Sequence, residues 1–128
     1  MRITSFYAAL LALLFGALSV RTLLLRRRLR VAVGDAGNAR LMRAMRVHAN
    51  FAEYVPLCLL LAAFCEAQGT PPAWLHAALG GLVVGRLLHA YGVSQVEEPY
   101  AFRVIGVALT LTVLFASAAR LIALFLRG

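Results

Sequence analysis

Long apolar stretches alternate with short polar ones along the chain. The apolar stretches run over Ile3–Leu25, Val47–Cys65, Trp74–Tyr91 and Val104–Leu126. Each is close to the roughly 20 residues needed to cross a hydrocarbon core about 30 Å thick. The pattern predicts four transmembrane helices at about 3–25, 38–66, 73–93 and 101–126, which make residues 1–128 a single membrane domain. Gly34, Asp35 and Gly37 punctuate the first connection, and the helical pattern resumes near Asn38. A second helix from there to Glu66 would be about 43 Å long, two turns or more beyond the bilayer core, so its basic N-terminal end should project into water. The second connection, "EAQGTPPAW", holds the breakers Gly69, Pro71 and Pro72, and the third, "GVSQVEEPY", is also short. Short connections make successive helices antiparallel neighbours. The expected fold is therefore an all-α integral membrane four-helix bundle, left-handed and up-down-up-down.

Composition agrees. Hydrophobic residues make up 62% of the chain, against about 45–50% in soluble domains. The net charge of +8 invites a nucleic-acid reading, but the basic residues are all arginines and most lie at helix ends or between Arg26 and Arg46. Membrane proteins keep their cations there, so nucleic acid is set aside as a partner. The arginine bias also orients the bundle. Arg26, Arg27, Arg28, Arg30, Arg40, Arg43 and Arg46 flank or occupy the first loop, while the second loop has none. The first and third loops should be cytoplasmic and both termini outside; Arg2 and Arg127 oppose this weakly. The opening "MRITSFYAALLALLFGALSV" has features of a signal peptide, but its apolar stretch is long and a basic run follows, so a retained helix is expected. Cys58 and Cys65, about 10 Å apart along one helix, cannot bridge each other, and no metal-ligand spacing is present.

The polar residues of the second helix carry the chemistry. At about 100° per residue, with Arg46 as origin, Asn50 falls at about 40°, Glu53 at about −20° and Tyr54 at about 80°. Arg43 shares this sector, and His48 points away. The third helix adds Arg86 and His89 on neighbouring positions of one face, and the fourth adds Arg103 near its start. Arg46, Arg86 and Arg103 lie toward the same end of the bundle, and Glu53 should converge with them. A positive, partly buried pocket wants an anionic ligand. Equally open from periodicity alone are structural ion pairs, Arg46 with Glu53 or Glu66 and Arg86 with Glu97 or Glu98. Ala77, Gly81 and Gly85, with Gly92 near the same face, suggest close helix–helix packing, inside a subunit or between subunits.

The block "RVHANFAEYVP", Arg46 to Pro56, resembles the signature of the MAPEG family, the membrane-associated proteins of eicosanoid and glutathione metabolism. The segments "GRLLHAYG" and "FRVIG" resemble the third helix and the start of the fourth in bacterial members. The resemblance implies a homotrimer in a bacterial inner membrane, with glutathione as cosubstrate between subunits. It implies that Arg46, Asn50, Glu53, Tyr54 and Arg86 hold glutathione, with His89 beside them, and that Arg103 stabilises the thiolate. The activity implied is transfer of glutathione to small apolar electrophiles, or reduction of lipid hydroperoxides. A leukotriene-forming member has tyrosines where this chain has His89 and Val93, so leukotriene synthesis is not expected. Two other readings compete: a non-catalytic member that binds lipid or protein, and a proton-coupled transporter built on Glu53.

Overall fold

The computed structural model describes residues 1–128 and contains four helices: α1 Arg2–Leu29, α2 Ala39–Ala67, α3 Pro72–Ser94 and α4 Tyr100–Leu126. All four are long and apolar enough to cross a membrane. α1 runs one turn past the expected end at Leu25, taking Arg26, Arg27 and Arg28 into its last turn. Arginine is a good helix former, and cations are favoured at a helix C-terminus, so the basic run extends the helix instead of opening the loop. The helix stops at Arg30, whose backbone turns left-handed at φ 55°. Arg26 then folds back over the loop and donates to the Gly34 carbonyl at 2.8 Å. Asn38 caps α2, its Oδ1 accepting from the Leu41 amide at 3.0 Å. Pro72 occupies the first position of α3, where its missing N–H costs nothing.

Side-chain bonds fix the topology. The Glu66 carboxylate, at the end of α2, accepts the Ile3 and Thr4 amides at the start of α1, at 3.0 and 2.8 Å. Arg120 of α4 reaches Thr70 at the same end. At the other end Arg21 of α1 donates to Ser94 of α3 at 2.7 Å. The Cys58 and Cys65 thiols face the Thr110 and Ser117 carbonyls, each partner 52 residues on, so α2 and α4 run parallel in constant register. The bundle is up-down-up-down, with both termini and the second connection at one end and the first and third connections at the other.

The two cysteines are buried and unbridged. Their neighbours in the core include Leu11 and Leu18 of α1, Val47, Phe51 and Val55 of α2, and Leu79 and Leu82 of α3. The tightest contact joins α3 to α4. A Cβ added at Gly106 would lie 2.7 Å from the Gly85 carbonyl, and one at Gly92 would lie 2.8 Å from the Phe102 Cβ. The close approach is thus made by Gly85, Gly92 and Gly106. Gly81 faces open space and takes no part in it. Within the ladder of α2, Pro56 offers no N–H to the Ala52 carbonyl and loosens the helix just after the polar sector.

Candidate functional site

α4 packs against the side of α2 that carries Asn50 and Tyr54, and α3 lies behind both. A recess of about 240 Å³ results, lined by Arg46, Asn50, His89, Val93, Arg103 and Val107. A narrower cleft continues it deeper into the bundle, lined by Asn50, Tyr54, Arg86 and Thr110 together with Val107 and Leu111. Of the expected residues, Arg46, Asn50, Tyr54, Arg86, His89 and Arg103 come together along this groove. Glu53 does not line either part and is exposed on the outer flank of α2. Its position on the helix explains this. Asn50 and Tyr54 lie on the α4 side of Arg46, and Glu53 lies on the opposite side.

Arg86 forms the floor of the groove. Its side chain is only 1% exposed. Nη2 donates to Asn50 Oδ1 at 2.8 Å and to His89 Nδ1 at 2.9 Å, and Nη1 donates to Thr110 Oγ1 at 3.3 Å. A guanidinium can only donate, so His89 accepts at Nδ1 and carries its proton on Nε2. Arg86 Nε has no partner. No carboxylate meets this cation, and the ion pairs expected as alternatives do not form. Glu66 caps α1. Glu98 is 3% exposed and serves Arg43 at 3.3 Å and Arg103 Nε at 2.6 Å. Arg46 is in no salt bridge. A buried charge with only neutral partners is costly to keep, and an anion seated in the groove would offset that cost. Phe51, whose ring centroid is 5.8 Å from the Arg86 guanidinium, compensates only in part.

Three participants were not among the residues expected here. Arg43 lies in the polar sector of the wheel, yet its partner, Glu98, is set by the third connection. Glu98 itself holds Arg103, and Thr110, an ordinary residue in an apolar helix, gives no sequence signal for its bond to Arg86. His48 is excluded in space as on the wheel. It stacks on Phe15 with ring centroids 4.7 Å apart and meets Ser19 Oγ at 2.9 Å. The Ser19 hydroxyl donates to the Phe15 carbonyl, so His48 is the donor to Ser19 and does not activate it as a nucleophile.

The fold and the groove define a polytopic membrane protein with an arginine-lined cleft between its helices. The chain belongs to the MAPEG family, whose profile matches residues 4–123. It is 39% identical over 90 residues to the inner membrane protein YecN of Escherichia coli strain K12, an alignment covering 70% of this chain and 69% of the relative. YecN of Escherichia coli O6:H1 matches to the same extent. Membership associates the chain with membrane proteins of glutathione and eicosanoid metabolism.

Proposed function

We propose that this protein is a glutathione-dependent enzyme of the bacterial inner membrane, a transferase or peroxidase acting on apolar electrophiles or lipid hydroperoxides. The observation that carries the proposal is Arg86, a buried guanidinium without a carboxylate partner on the floor of a groove that Arg46 and Arg103 also line. The donor set suits glutathione, which has two carboxylates and one ammonium. Guanidiniums bind carboxylates through forked hydrogen bonds. Glu53, on the outer flank, would meet the ammonium of a ligand held between two copies, which favours a homotrimer with one cleft at each subunit boundary.

Glutathione supplies the nucleophile, a thiol of pKa about 8.5 when free. Arg103 at the mouth of the recess favours the deprotonated sulfur. The sulfur bonds to the electrophilic carbon as the leaving group departs with the bonding pair. In the peroxidase mode, two glutathione thiols are oxidised to a disulfide while one hydroperoxide is reduced to an alcohol and water. The exposed apolar surface of α4 would bring such substrates in from the lipid.

The purified protein in detergent is expected to bind glutathione at millimolar concentration, with Arg46→Ala and Glu53→Ala weakening it; no binding by the unaltered protein sinks the proposal. Thiolate absorbance in the ultraviolet checks Arg103, since Arg103→Ala should raise the apparent pKa of the bound thiol. A second reading has one observation in its favour. Arg103 is already paired with Glu98 at 2.6 Å, which tempers its charge and suits a member that binds without catalysis. Turnover of chlorodinitrobenzene separates the two.

A further inference from the structure

At the loop-bearing end of the bundle, on a face separate from the groove, α1, α2 and the third connection border an open cavity of about 740 Å³. Its wall carries Arg21 and Arg28 of α1, Arg40 of α2, Ser94 at the end of α3 and Glu97 of the third connection. None of the residues assigned to the glutathione groove is among them. Three guanidiniums against one carboxylate leave the wall with a surplus of two positive charges.

Arg21 is the telling residue. It lies about 12 Å below the end of α1, inside the span. Its one polar partner is the Ser94 hydroxyl, whose own proton goes to the Ala90 carbonyl. Its Nε and Nη2 are enclosed and have no partner. An arginine at this depth needs compensation, and long cationic side chains of membrane helices find it by reaching toward the interface. The cavity lies in that direction. Its remaining wall includes Leu24 and Leu25, and Leu24 is half-exposed on the outer surface of α1. A cationic recess at the membrane interface, edged by an apolar helix face, matches an amphiphile with an anionic head and an acyl tail. Basic pockets between transmembrane helices take lipid headgroups in this way.

We propose that this cavity is a binding site for an anionic phospholipid, its phosphate held by Arg21, Arg28 and Arg40 and its acyl chain lying along Leu24 of α1. Glu97 opposes the phosphate and sets how strongly a singly charged headgroup is preferred over a zwitterionic one. The site does not depend on glutathione or on any catalytic activity.

The test is native mass spectrometry of the purified protein equilibrated with equal amounts of phosphatidylglycerol and phosphatidylcholine. Phosphatidylglycerol adducts should predominate. Arg28→Gln and Arg40→Gln alter exposed side chains that the fold does not need, and each should lower that preference about fivefold, the effect of about one interfacial charge. Glu97→Gln should raise it, and Arg127→Gln, at the far end of α4, should leave it unchanged. Equal retention of the two lipids, or an equal loss with Arg127→Gln, overturns the proposal. Displacement of the lipid by millimolar inorganic phosphate would also overturn it, because the cavity would then be a site for free anions.

Discussion

Arg86 is the residue at which a ligand site and a purely structural one would differ. A structural arginine would be paired with a carboxylate, and its loss would strand a charge. Arg86 instead donates to Asn50, His89 and Thr110, all neutral, and keeps Nε unpaired. Replacing it with an apolar side chain of similar length therefore removes an unfavourable burial. Arg86→Met is expected to lower thermal stability in detergent by no more than about 1–3 kcal/mol, since relief of the buried charge offsets the loss of a donor to Asn50 and His89, while weakening glutathione binding at least tenfold, about the effect of one charge-assisted hydrogen bond. Thermal unfolding with and without glutathione measures both. A variant that loses more stability than this and binds normally would make Arg86 a scaffold residue.

At the scale of elements, the helices and their order were legible because burial in lipid demands long apolar runs that little else in a sequence imitates. The polar stripe was legible too, since Arg46, Asn50 and Tyr54 repeat at intervals of four and each is expensive in a membrane. Glu53 shows the limit. The wheel places it beside Arg46, but only the packing of α4 on the other flank decides that it lies outside the groove. The same limit applies to the α3–α4 contact. Spacing pointed to Gly81 as well as Gly85, while the residue that meets Gly85 is Gly106, alone on α4 and without a repeat to reveal it. Gly106→Ala is expected to destabilise the bundle by about 1–3 kcal/mol through overpacking, because its new methyl group would face backbone at 2.7 Å and His89 at 2.8 Å. Displacing His89 should also disturb the groove. Gly81→Ala, with nothing within 4 Å in the single chain, is the matched control in thermal unfolding.

For the whole molecule, the arginine-rich end should face the cytoplasm and three copies should assemble. Single cysteines placed at Ala36 and at Gln68 in a chain lacking Cys58 and Cys65 are expected to label from opposite sides of the membrane, Gln68 from outside. Mass measurement in mild detergent should give three chains per particle. The Glu66 clamp has a consequence for biogenesis. Two leading amides of α1 are satisfied by a carboxylate at the far end of α2, supplied only when the second crossing is almost complete. The first helix to leave the ribosome thus waits for the second before its N-terminal end is finished, which makes the α1–α2 hairpin the natural unit of membrane insertion. A chain truncated before Glu66 should leave the start of α1 open to proteolysis.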